Sequence, residues 1–471
     1  MSDIIKYQII TFIIIAALSS CKKEKVLNDS NIKLAFSEDT VIFDTVFTNI
    51  GSVTKQFKVY NNYKQAIKIS QISLAGGDQS QYRLNIDGYP VNNLSDVIIE
   101  PEDSIFVFVE VTVNPANINN PFVVQDSVVF YINGNMQDVN LVAWGQDANY
   151  ISGKMITNDT VWTSERPFLI YNSVGIDSNV TLTIEEGTQI YFHKNSGMIV
   201  WGTLIVNGSY DNPVVFQGDR LESYYDDIPG QWGGIRFNSG SGAHSMNWVI
   251  IKNAIVGIQI GTLESNNPQS LVLSNAIITN MNYAGIYSLT STIKAYNCLI
   301  ANCGFYAVAL LVGGDYEFYH CTVANYWKYG NRIDPSVVIT NNAQFGENLF
   351  VGDLTNAYWG NSIITGSKDD ELGIGVDAGA QFNYLIDHCL LKGKNLDTTD
   401  GNHYTNILLN SDPKFVDINE LNFELDTLSD AIDAGSINIV NTNLQILQYD
   451  LKNESRIIDN QPDLGAYERI E

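Results

Sequence analysis

"LSNAIITNMNYAGIYS" runs from Leu273 to Ser288, and "YNCLIANCGFYAVAL", from Tyr296 to Leu310, repeats its pattern. Asn275 aligns with Asn297, 22 residues later. One step back, again of 22, reaches Asn253 in "IIKNAIVGIQI"; one step forward, of 23, reaches His320 in "FYHCTVANYW". Asn361 in "WGNSIITGS" and His388 in "IDHCLLKG" continue the series at looser spacing. A fixed period of this size marks a solenoid. The residue after each Asn or His is small: Ala254, Ala276, Cys298, Cys321, Ser362, Cys389. Two further on it is apolar: Val256, Ile278, Ile300, Val323, Ile364, Leu391. No 3.6-residue stripe is long enough for a helical repeat. Small and apolar residues at fixed phase suit inward ladders stacked at about 4.8 Å, with Asn side chains bonding one above another at the bends. The spacing predicts a parallel β-helix.

Composition agrees with an all-β chain. Among 471 residues there are 25 Tyr, 20 Phe and 36 Gly, a β-rich usage. The net charge of −26 leaves no basic stripe for phosphates, so no nucleic-acid partner is expected. Acidity of this kind keeps an exported protein soluble; the sharper alternative is Ca2+ on clustered carboxylates. No other cofactor and no metal-ligand residues are predicted.

The N-terminus carries the most specific local signal. Lys6 precedes "YQIITFIIIAALSSC", an apolar run too short to span a bilayer comfortably and ending in small residues. Leu18-Ser19-Ser20-Cys21 resembles the lipobox of bacterial lipoproteins. The resemblance implies a signal peptide over 1–20, diacylglycerol on Cys21, and "KKEKVLNDSN" as the start of a tether over 21–30. "KKEK" is a partial match to surface-export signals of Bacteroidota lipoproteins. Attachment to the outer membrane through Cys21 is therefore expected, facing the periplasm or the cell surface.

Residues 31–148 have a different texture. "KLAFSEDTVIFDTVFTNIGSVTKQFKVYNN" alternates polar with apolar, and "DVIIEPEDSIFVFVEVTVNP" and "QDVNLVAWGQDA" follow with turn residues between. Short strands without helices read as a β-sandwich. Through "FDTVFT", "PEDSIFVFVEV" and "GQDA" the segment resembles the immunoglobulin-like (Ig-like) domain found ahead of β-helices in Bacteroidota lipoproteins. The β-helix is expected over 149–410, its opening coils "VTLTIEEGTQIYF" and "GMIVWGTLIVNGSYDNPVVFQG" resembling a right-handed one. Loops are expected at 219–230, 262–270, 326–347 and 367–383. "SDPKFVD", "DAIDAGS" and "PDLGAYE" resemble the C-terminal block of bacterial surface β-helix proteins in the pectate-lyase-like superfamily. Residues 411–471 are accordingly expected to cap the open end of the helix. Asp430 departs from the block, standing where proline is common.

The fold also hosts polysaccharide lyases and glycosidases. The Gly-His-Gly and Arg-x-Lys strings of polygalacturonases are absent, and arginine is scarce inside the helix, as at Arg220, Arg236 and Arg332. Asp226-Asp227 and Asp369-Asp370 are loop pairs without a partner base in view. No catalytic residue is assigned; a lyase or glycoside hydrolase is the alternative. Glycan binding or adhesion is better supported, because Tyr224, Tyr225, Trp232, Trp327, Arg332 and Trp359 sit in or near expected loops, where the aromatics beside charged partners could stack sugar rings. The competing account has these rings packing loops onto the helix. Polysaccharide or envelope proteins are the implied partners. Asp-Ser/Thr followed by an aliphatic residue, at Thr40, Thr45, Ser104, Ser127, Thr160 and Thr427, resembles the O-glycosylation sequon of exported Bacteroidota proteins; such pairs also start strands. Cys298, Cys321 and Cys389 share one repeat position, so their side chains point the same way and are expected to be unpaired.

Overall fold

The structure, a computed structural model, describes residues 26–238, 242–263, 268–458 and 461–470. The segment 1–20, Cys21 and the first part of the tether lie outside the described residues. The chain is all-β apart from short helical turns such as Ile437–Thr442, and it divides into two compact units, Met1–Asp147 and Ala148–Glu471.

In the first unit, strands Ala35–Phe36, Lys55–Tyr60, Ser104–Val111 and Tyr82–Ile86 form one sheet. Strands Thr40–Phe47, Asn135–Gln146, Phe122–Ile132, Ile67–Leu74 and Asn93–Ile99 form the other. "SIFVFVEV" shows why: its alternate residues Ile105, Val107, Val109 and Val111 are buried while the others face outward. Phe57, Val59, Val107 and Val109 of one sheet join Ile69, Ile72, Phe130 and Leu141 of the other in a single apolar cluster. Two of the strands open on an Asp-Ser/Thr pair, at Thr40 and Ser104.

The second unit is built almost wholly of parallel pairings, in three columns. Ile277–Ile278 pairs with Leu299–Ile300, then with Thr322–Val323, Ile363–Ile364, Leu390–Leu391 and Leu408–Leu409. A second column stacks Ile235, Ile258, Ile286, Val308, Val337 and Leu372. The third stacks Leu273, Ala295, Phe318, Trp359, Ile386 and Tyr404. Their inward residues make one continuous core. The four coil cysteines, Cys298, Cys303, Cys321 and Cys389, are buried in it and free. Of the six small residues after the Asn/His positions all are fully buried, whereas Val256 in the apolar set is half-exposed.

The recurrent Asn and His have a backbone cause. Asn253, Asn275, Asn297, His320, Asn361, His388 and Asn406 all have φ between 48° and 65°, the left-handed region that asparagine tolerates best after glycine. Their side chains then bond along the column: Asn297 Nδ2 donates to Asn275 Oδ1 at 3.1 Å, and Asn361 Nδ2 lies 2.9 Å from His320 Nε2. Asn280 and Asn302 make a second left-handed corner at the far end of the same strands.

Two expectations are corrected. Residues 326–347 and 367–383 are not single loops, because Val337–Thr340 and Leu372–Gly375 join the second column and Asn342–Phe345 pairs with Asn348–Val351 as a hairpin. The C-terminal segment lies along a flank rather than across an end. Ala466 N donates to Thr322 Oγ1, Gly465 N to Asn361 O, and Asn297 Nδ2 to Tyr449 O. Phe423, Leu451 and Ala466 cover Leu299, Ala301 and Ala324, while Leu425, Ala431 and Leu464 cover Ile363 and Leu390. The reason is in the strands: "NCLIANC" and "NSIITG" are apolar on both faces, so the outward side also needs a cover. Arg456 pins the segment. Fully buried, it donates to Glu468 Oε2 at 3.0 Å, Gly465 O and Asn297 Oδ1.

Candidate functional site

The second corner, at Asn280 and Asn302, lines up the outer surface of successive parallel strands. Tyr283 N donates to Ile255 O and Phe305 N to Tyr283 O, so Ile255, Tyr283 and Phe305 follow one another at the same place. The Tyr283 ring centre lies 4.9 Å from that of Phe305 and 6.0 Å from that of Tyr306. Two loops frame this stack. The loop 219–230 is tied down by Asn253 Nδ2, which donates to Tyr225 O and Asp226 O, and by Asn280 Nδ2, which donates to Asp227 Oδ1 at 3.0 Å. The loop after Asn325 carries Trp327 and Tyr329, with ring centres 5.2 Å apart. The Tyr329 hydroxyl donates to Asp227 O at 2.9 Å, which joins the loops. The result is an aromatic ridge with Tyr224 76% exposed and Phe305 and Tyr329 each 42% exposed. Tyr225, Trp327 and Tyr283 are half-buried within it.

The six predicted aromatic and basic residues separate cleanly. Tyr224, Tyr225 and Trp327 come together on the ridge. Trp359 does not; it is fully buried in the third column, its ring 4.1 Å from and nearly parallel to that of Phe318. "AYWGN" is a strand ending, since Leu354–Gly360 pairs inside the sheet. Trp232 is likewise buried, stacked on Phe192 at 4.2 Å with Nε1 donating to Lys252 O. Arg332 is buried too, paired with Glu371 at 2.5 Å and donating to Asp334 O. Glu371 also accepts from Ser336 and Lys368 N, so the pair anchors the base of the Trp327 loop rather than meeting a ligand. The signal for Trp359 was present. Two places before each Asn or His stand Leu273, Ala295, Phe318, Trp359 and Ile386, all apolar and all buried.

Sequence reasoning missed Phe305 and Tyr283, which no motif singled out. It also missed a second cluster. The His193 ring stacks on Tyr171 with centres 4.1 Å apart, and His193 Nδ1 lies 2.7 Å from Asp219 Oδ2. Burial pushes the Asp219 carboxyl above its ordinary range, opposed by the bond to His193. Among the described residues there is no group of three or more His, Cys, Asp or Glu placed to hold a metal ion.

The candidate O-glycosylation residues are half-buried except Thr427, which is exposed. Thr40, Ser104 and Thr160 are the first residues of strands, and Asp103 Oδ1 and Asp126 Oδ1 accept from the backbone N–H of Ser104 and Ser127. That is the geometry of a strand start after a turn.

No protein-family model matches the chain. The protein bark beetle of Drosophila melanogaster is 29% identical over 121 residues, which is 24% of this chain and 4% of that protein. The chain therefore spans a small fraction of that relative. A solved family 123 glycoside hydrolase from Clostridium perfringens aligns over 24% of this chain and 25% of its own, at 6% identity and a TM-score of 0.17. Likenesses this slight carry no argument about fold or activity.

Proposed function

We propose that this is a lipid-anchored envelope lipoprotein of the Bacteroidota type whose task is non-enzymatic glycan binding or adhesion. In this reading the lipid on Cys21 holds it to the outer membrane, facing the periplasm or the cell surface. An Ig-like sandwich then precedes a right-handed parallel β-helix, and the DLGAYE-type segment is strapped along the flank of that helix. The parallel columns of about 22-residue period support the β-helix, and the lipobox-like Leu18–Cys21 supports the anchor. The observation that carries the function is the aromatic ridge, where Tyr224, Phe305 and Tyr329 present large apolar rings to solvent beside hydrogen-bonding carboxylates. Flat rings with polar neighbours suit the apolar faces and hydroxyl edges of sugars. Envelope polysaccharides or glycosylated envelope proteins are the partners this reading names. A glycan-array screen of the purified full chain in detergent tests it. Binding to one polysaccharide class is expected; a blank array would count against it.

The second reading, a polysaccharide lyase or glycoside hydrolase, is favoured by one observation, the His193–Asp219 pair beside Tyr171. Enzymatic work needs acid, base and stabiliser converging on one cleft. Product release from polysaccharides that stops on His193→Ala would favour it over simple binding.

A further inference from the structure

Most of the charges around the ridge are negative. Asp226 and Asp227 stand exposed at its start, and Asp334, which accepts the Tyr306 hydroxyl, stands half-buried beside Tyr283. Arg220 does not offset them. Its guanidinium is engaged twice by Glu222, through Nε at 3.0 Å and Nη2 at 3.0 Å, while it lies over the Tyr225 ring at 4.0 Å. Lys328, next to Trp327 and exposed, is a cation carried by the second loop. Asp227 is held in place by Asn280 and by the Tyr329 hydroxyl on its carbonyl, so its charge stays at the ridge. The whole chain adds a net charge of −26.

We infer that the ridge takes uncharged polysaccharide chains and turns away polyuronates and sulfated glycans. This deepens the glycan-binding reading above and rests on it. A neutral chain laid on Tyr224, Tyr329 and Phe305 keeps the stacking contacts, and its hydroxyls can donate to Asp226 and Asp334. An anionic chain brings a carboxylate or sulfate on nearly every unit toward fixed carboxylates, and among the described residues of the ridge no unpaired arginine fork meets it. Length should matter as well. Ile255, Tyr283 and Phe305 climb one coil at a time, at about 4.8 Å per coil, so contact is repeated along the ligand and affinity grows with chain length.

The experiment titrates the full chain in detergent with soluble neutral polysaccharides (glucan, mannan, xylan, galactan) and with polygalacturonate, alginate and chondroitin sulfate. It is run at low salt and at 1 M salt, for the native chain and for D226N/D227N. Expected are binding to at least one neutral polymer and about tenfold or weaker binding to the anionic ones at low salt. The gap should narrow at 1 M salt, where the screening length is about 3 Å. D226N/D227N should narrow the gap between anionic and neutral binding by strengthening anionic binding, since it removes two fixed carboxylate charges while the amide introduced at position 227 keeps an oxygen for Asn280. Anionic polymers bound as tightly as neutral ones, or a variant that leaves anionic binding unmoved, would overturn the selectivity and leave the glycan reading standing. Binding to neither class would overturn both.

Discussion

At the scale of single residues, the two tryptophans Trp327 and Trp359 show how one side chain type serves opposite ends. Trp359 completes an inward column on Phe318, so Trp359→Ala should cost about 3–5 kcal/mol of stability, read from thermal or denaturant unfolding. Trp327 is half-buried at the surface, and Trp327→Ala should cost under about 2 kcal/mol. Equal losses at the two positions would remove Trp327 from the ridge. What the sequence could reveal here depended on phase. The inward small and apolar residues repeat at one offset from the Asn or His, and all of the small ones are buried. Trp359 obeys a second offset, two residues before the Asn, where size varies from Ala295 to Trp359 and the ladder is harder to see. Arg332 could not be placed from sequence, because its partner Glu371 lies 39 residues away on another coil.

At the scale of elements, the corner column and the strap are coupled. His320 occupies a left-handed corner, in contact with Asn361 and beneath the backbone of Asp463 and Gly465. Burial first, and then the Arg456 charge, hold its pKa well below 6.5. An unfolded histidine takes up a proton below about 6.5 and the folded one does not, so the folded state loses stability as pH falls beneath that value. The contribution approaches about 1.4 kcal/mol per pH unit. His320→Asn keeps the corner residue type of the column and removes this slope; unfolding measured from pH 7 to pH 5 should fall less steeply in the variant. A parallel decline in both proteins would mean His320 is not held neutral. Arg456 faces Glu468, Asp450 and Asp463, and burial pushes Glu468 up to about 8. Arg456→Met leaves those carboxyls without their cation and should cost about 3–5 kcal/mol near pH 8. The deficit should shrink toward pH 5, where they can bind protons; a deficit that grew with acid would contradict the arrangement. The strap's position was not legible from "PDLGAYE" alone. The clue lay in the coils, where Leu299, Ile363 and Leu390 make the outer face apolar just where the strap lies.

At the largest scale, the parallel columns of the second unit carry the proposed sugar-binding ridge on one edge. The anchor belongs to this scale. Cys21→Ala should move the protein from the membrane fraction to the soluble one or leave an unprocessed precursor; a processed, lipid-bearing variant would refute lipidation there. The ridge itself needs four separate segments, 224–225, 283, 305–306 and 327–329, brought together by hydrogen bonds between stacked parallel strands and their loops. No local motif could announce it. The most direct test is the affinity of the full chain for a neutral polysaccharide, by calorimetric titration, compared with that of Tyr224→Ala/Trp327→Ala. A sugar-binding ridge predicts weak but measurable binding, reduced about tenfold or more in the double variant while its melting temperature stays within a few degrees. Binding unchanged in a folded double variant would contradict it.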